Sequence, residues 1–152
     1  MSDRAPLILS EADALEIGYV TDLYKLLRAI DEAMPKDAVL YVEATAIAND
    51  VASFLETRAA QDWHEITANT LWPRPKVFHI PLAGDNLAEL RDLAEKHAEP
   101  EVADHLVVYR GEDVLLWAHD AGDGYVDVSR DLSESIVEAF RDALGDAIRN
   151  AR

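Results

Sequence analysis

The 152-residue chain contains no cysteine. That absence excludes disulfide frameworks, thiol chemistry and cysteine-ligated zinc. Glycine is scarce: the six stand at positions 18, 84, 111, 122, 124 and 145, and no Gly-x-Gly-x-x-Gly or Walker-type loop is formed from them. Cradling of phosphates by a glycine-rich loop is therefore not expected. Basic residues are outnumbered, 14 Lys plus Arg against 30 Asp plus Glu, for a formal charge of −16. Neutralising phosphates needs a surplus of Lys and Arg, so nucleic acid is not an expected partner. No apolar run approaches the roughly 18 residues that span a bilayer. Near the N-terminus only Leu7-Ile8-Leu9 are consecutive large apolar residues, too few for a signal-peptide core. The expectation is a cytoplasmic protein with no membrane partner.

What is present suffices for a core. Hydrophobic residues make up 49% of the chain and charged residues 29%, and a chain of this length fits a single domain over residues 1–152. The acids are spread evenly, with 13 acids and 6 bases in residues 1–75 and 17 and 8 in residues 76–152. Such a surface confers solubility and self-repulsion, and it also offers an electrostatic lure to a basic protein partner. Arg outnumbers Lys ten to four, a composition expected of a GC-rich bacterial genome.

Periodicity orders the elements. Val20, Leu23, Tyr24, Leu27, Ile30 and Met34 recur at three- and four-residue spacing before Pro35, predicting a helix over about 21–34. Residues 38–44 read as a strand, followed by a helix capped by Asn49 or Asp50 and carrying Val51, Phe54 and Leu55. Residues 61–75 form a long connection with Trp63, His64, Trp72 and two prolines. Residues 76–80 read as a strand. Asn86 and Glu89 have capping-box spacing for a helix with Leu87, Leu90 and Leu93. A hairpin over 105–110 and 113–119 turns at Gly111-Glu112, and a short strand spans 125–129. A last helix, capped by Asp131 or Ser133, runs on Ile136, Val137, Phe140, Leu144 and Ile148.

A two-residue hairpin turn would pair Arg110 with Asp113 and place Leu106, Val108, Leu115, Trp117 and His119 on one face. Val107, Tyr109, Val114, Leu116 and Ala118 would take the other. Both sets are apolar, so cover on both sides is expected, by helices or a partner chain.

Strand, helix, strand, helix, hairpin, helix, preceded by one extra helix, resembles the order of a thioredoxin-like domain. The stretch Leu106-Val107-Val108-Tyr109-Arg110-Gly111-Glu112-Asp113-Val114, with Leu132-Ser133-Glu134 and a helix later, is similar to the C-terminal half of such domains. The resemblance implies an α/β fold, a mixed β-sheet with helices on both faces, here with an extra strand near the C-terminus. The family's Cys-x-x-Cys is replaced by Thr45-Ala46-Ile47-Ala48-Asn49, and its proline before the hairpin by Asp104-His105. No catalytic residue carries over.

The histidines form no His-x-His, His-x-x-x-His or His-Glu-x-x-His pattern. His64-Glu65, Asp104-His105 and His119-Asp120 are sequence neighbours, which point to opposite faces on a strand. A His–carboxylate site would need His79 and His119 to meet Glu43 or Asp120 across strands. Metal binding would further require His105 to join them. Thr45 and Asn49 follow Glu43 at the C-terminal end of its strand, where ligands bind in open α/β sheets. Trp63, Trp72 and Arg74 in the long connection, with His105, are candidate binding residues, because Trp and Arg are enriched at hot spots. No serine lies in a Gly-x-Ser-x-Gly elbow. Gly122-Asp123-Gly124 reads as a turn and not a calcium loop.

Two functions follow as expectations. The first is a small acidic protein-binding protein without catalysis, a chaperone-like accessory or an inhibitor. The second is a hydrolase using His79, His119 and either Glu43 or Asp120, as an acid–base set or as metal ligands. No cofactor and no metal site are assigned, the hydrolase alone being open to metal dependence, and a homodimer fits either.

Overall fold

In the computed structural model, residues 6–66 and 75–149 are described. Seven strands form one sheet: β1 (Ala14–Val20), β2 (Val39–Ala44), β3 (Lys76–Pro81), β4 (His105–Arg110), β5 (Asp113–Ala118), β6 (Gly124–Ser129) and β7 (Ile148–Arg149), in the order β3-β2-β4-β5-β6-β1-β7. Four α-helices accompany it: α1 (Leu23–Ala33), α2 (Asn49–Thr57), α3 (Asn86–Ala94) and α4 (Glu134–Leu144).

The helices form where pattern and caps agree. α1 buries Leu23, Leu26, Leu27 and Ile30, and its Asp22 cap accepts from the Lys25 N–H at 3.0 Å. α4 buries Phe140 and Leu144, and the Ser133 hydroxyl accepts from the Ile136 N–H. These helix residues join Leu40, Val42, Ile80, Leu106, Val108, Leu116, Ala118, Val126 and Val128 in one core. Each large side chain buried there contributes about 1.5–3 kcal/mol.

The opposite face of the sheet is packed differently. Tyr41, Val107, Tyr109, Val114 and Trp117 meet Leu7 and Ile66 in a second, smaller cluster. Leu7 and Ile66 form an isolated parallel bridge, and the Leu7 N–H donates to Glu65 O at 2.7 Å. Both faces of the hairpin strands are thus covered, one by helices and the other by two extended segments of the same chain.

Several expectations are corrected. The sheet is not mixed, because every strand pair in it is antiparallel. A strand–helix–strand reading implies parallel neighbours joined by a crossover. Here the connection from Thr57 to Lys76 is long enough to bring the chain back to the end where β2 finished, so Lys76 faces Ala44. Nor do helices cover both faces, since α1 to α4 all contribute to the one core with the same set of strand residues.

The hairpin pairs Arg110 with Asp113, but a bulge shifts the register so that Val107 faces Trp117 and Val108 faces Leu116. The extra residue moves Trp117 and His119 to the face of Val107 and His105, the reverse of a bulge-free hairpin. Asn49 opens α2 behind Ala48 without capping it. The Asn86 amide donates to Pro81 O instead of capping α3. α4 ends at Gly145 (φ 54°), and Ile148 lies in β7.

Candidate functional site

Alternation along the strands decides which side chains reach the helix-free face. On β2 these are Tyr41 and Glu43, opposite His79 and Val77 of β3 and opposite Val107 and His105 of β4. Trp117 of β5 faces Asp127 of β6, which faces Glu16 of β1. Beyond Trp117, the His119 N–H donates to Tyr125 O, and Tyr125 faces Tyr19. A second bulge, between Glu16 and Gly18, lets both Glu16 and Tyr19 reach this face while Ile17 enters the core. Two rows therefore cross the sheet. One reads Val77, Glu43, His105, His119, Tyr125, Tyr19, and the other His79, Tyr41, Val107, Trp117, Asp127, Glu16.

At the β2–β3 end the groups are tied to one another. Glu43 is 1% exposed and accepts from the Tyr41 hydroxyl at 2.7 Å. Burial, and then that carboxylate, push the Tyr41 phenol well above its ordinary range. His79 Nδ1 lies 2.8 Å from the Tyr109 hydroxyl, which also accepts from the His64 N–H. Burial lowers His79 to about 4, so its imidazole is neutral at physiological pH. The Trp63 ring stacks on it, with centroids 4.9 Å apart. Beside them a cavity of about 650 Å³ opens among Leu55, Ala60, Trp63, Val77, Phe78 and His79.

At mid-sheet, His105 Nδ1 accepts from the Asp120 N–H at 3.2 Å, which places its proton on Nε2, 3.9 Å from Glu43 Oε2. A ring with one nitrogen accepting and the other facing a buried carboxylate has no lone pair left to take a substrate proton. His105 and His119 have ring centroids 6.4 Å apart. His119 stacks on Trp117 at 6.0 Å, and its Nε2 is 3.8 Å from Asp127. The turn that aims His119 requires Gly124, because a Cβ there would lie 2.0 Å from His119 O. Asp120 sits in the same turn at φ 50°, a conformation Asp tolerates better than most residues.

The candidate residues thus divide. Glu43, His105 and His119 form a chain across the sheet, and Asp120 joins it through its backbone N–H. His79 is on the same face but grouped with the tyrosines and Trp63. Thr45 is exposed and donates to Asp104 through both its N–H and hydroxyl, and Asn49 is exposed at the start of α2. Trp72 and Arg74 lie outside the described residues. Among the described residues no group of three or more His, Asp or Glu is placed to hold a metal ion, and no helix is long and apolar enough to cross a membrane.

Sequence reasoning missed Tyr41, Tyr109, Tyr19, Tyr125, Asp127 and Glu16. The alternation Tyr41/Glu43 and His105/Val107/Tyr109 was a usable signal, whereas the bulge in β1 hid the pairing of Glu16 with Tyr19. Comparison with family models, with curated proteins and with solved structures finds no match, so no fold neighbour supports the thioredoxin-like order.

Proposed function

We propose that the chain is a protein-binding domain without catalytic activity, a chaperone-like accessory or inhibitor, and that it docks partners on the helix-free side of its sheet. One observation carries this reading. The large hydrophobic side chains left exposed among the described residues are Ile8, Trp63, Val77 and Tyr125, and all four belong to that side. Ile8 follows Leu7 in a segment laid across it, Trp63 stacks on His79, Val77 faces Glu43, and Tyr125 faces Tyr19. Apolar side chains gathered on one face among polar ones mark interaction surfaces, and aromatics supply most of their energy. The hydrolase reading is less well supported, because the Nδ1 lone pair of His105 already accepts from the Asp120 N–H and His79 is grouped away from His119.

The test is site-specific photo-crosslinking in native cells, with the probe at Val77 or Tyr125 and, as controls, at Glu138 or Asp142 on α4. Discrete, reproducible adducts from the first pair and none from the second are expected. Adducts from α4 alone, or from no position, would overturn the reading.

A further inference from the structure

Resting on that docking reading, we infer that the β5–β6–β1 half of the helix-free face takes a basic, extended segment of a partner protein, with Lys or Arg side chains lying between its carboxylates and over its tyrosine rings. Two observations carry the assignment. The surface is aromatic and accessible: Tyr19 and Tyr125 meet edge-to-face at 5.1 Å, Tyr125 is exposed, and His119 extends the row. It is bordered by acids on several strands and turns. Glu16 and Asp127 face each other directly across the β1–β6 ladder, and Asp123 accepts from the Tyr19 hydroxyl at 2.8 Å. Asp120, exposed in the turn after β5, completes the rim.

Like charges directly opposite on a sheet oppose folding. A cation seated between Glu16 and Asp127 turns that repulsion into two attractions, and an aromatic face beside it adds a cation–π contact. Of the basic side chains here, Arg149 stands opposite Tyr19 on β7, one row away from the Glu16–Asp127 pair, and His119 reaches Asp127 alone, its Nε2 3.8 Å away. The chain's formal charge of −16 acts in the same direction at long range, speeding encounter with a basic partner. The β2–β3 end differs in kind, since its carboxylate Glu43 is buried against Tyr41. A basic side chain arriving there would find no accessible acid on that strand's face.

The experiment uses the full chain and three synthetic peptides of about twelve residues, long enough to cross the face when extended at roughly 3.3 Å per residue. One alternates Arg with Val, one Gln with Val and one Glu with Val. Binding is read by fluorescence anisotropy, and the footprint by amide chemical shifts. The Arg peptide is expected to bind, to weaken steeply with salt, and to shift the amides of Tyr19, His119, Tyr125 and Asp127. The double variant Glu16→Gln, Asp127→Asn should lose affinity by about tenfold. The equally neutralised Glu138→Gln, Asp142→Asn variant on α4 should stay within about twofold of the parent, which separates a site from bulk charge.

Equal binding of the Arg and Gln peptides at this face would overturn the basic class while leaving sheet-face docking intact. Arg-peptide binding weakened equally by both double variants would also overturn the inference, leaving bulk charge alone. Absence of any peptide footprint on the face, with crosslinks from Val77 and Tyr125 still forming, would overturn the inference but not the docking reading. Absence of both would remove the two together.

Discussion

The two sides of this sheet are made from the same strands, yet they are built for different ends. On the helix side every inward position of the central strands is aliphatic: Leu40, Val42, Leu106, Val108, Leu116, Ala118, Val126 and Val128 lie within 1% of full burial. On the other side the alternate positions carry Tyr41, Glu43, His79, His105, Tyr109, Trp117, His119, Tyr125 and Asp127, joined by hydrogen bonds and ring stacking. Packing on the first side is dense and replaceable only by similar shapes. The second side spends polar groups on one another and leaves its rim exposed. Stability should therefore reside on the first and recognition on the second, and the sharpest way to break that contrast is to substitute matched positions on each.

Phe140 on α4 is fully buried in the main core. Phe140→Ala should destabilise the protein by about 3–5 kcal/mol through lost transfer energy and the cavity left behind. Val77→Ser at the exposed β3 position should stay within about 0.5 kcal/mol. Urea midpoints measured side by side decide this. Comparable losses at the two sites would mean that the helix-free face is structural after all.

Tyr41→Phe probes the buried polar part of the second side. It removes the hydroxyl that donates to Glu43 at 2.7 Å while Glu43 stays 1% exposed. A loss of about 1–3 kcal/mol is expected, the usual result when a buried acceptor loses a partner. A neutral outcome in the same urea titration would show that the carboxylate is satisfied without the tyrosine.

The pH response sharpens the contrast further. His79 is lowered from 6.5 to about 4 by burial, so the unfolded chain takes up a proton there before the folded chain does. Its contribution to stability is complete above pH 6.5 and is lost as pH falls toward 4. Asp127 and Glu99 are shifted up, each chiefly by burial, and act in the opposite direction over an overlapping range. The comparison must therefore be between the parent and His79→Gln, whose midpoint should fall less between pH 6.5 and 4. Histidine NMR titration should place the His79 midpoint near 4, and a midpoint near 6.5 would mean that the ring is solvated.

Much of the helix-covered side was legible because its rules are local. Apolar spacing located α1 and α4, and the alternatives for the last cap included Ser133, which accepts from Ile136. The strands β2 to β6 were also legible from their alternation and turn residues. Two kinds of information were not. Strand direction was unreadable, because the sequence between Thr57 and Lys76 does not say at which end of the sheet the chain re-enters. The bulges in β1 and in the hairpin were hidden as well. They interrupt the two-residue period in Ala14–Val20 and shift Trp117 and His119 by one face. Hence His79, His105, His119 and Glu43 could be named as strand residues, while the order in which they meet followed only from the register. The tyrosines around them went unnoticed because a Tyr in a strand is ordinarily core.

Glu16→Gln gives a small stability change and the most discriminating one. Glu16 faces Asp127 across the ladder, so removing its charge relieves a like-charge pair and should stabilise the protein by about 0.2–1 kcal/mol. The same substitution should weaken the Arg–Val peptide, because one of the two carboxylates that receive the cation is gone. Stability and binding then move in opposite directions from a single exposed oxygen, as they do where a site is held at the expense of the fold. A variant that gained stability and kept its affinity would place the cation elsewhere on the face. One that lost both would make Glu16 a structural residue, and the division of labour between the two sides of the sheet would fail at that strand.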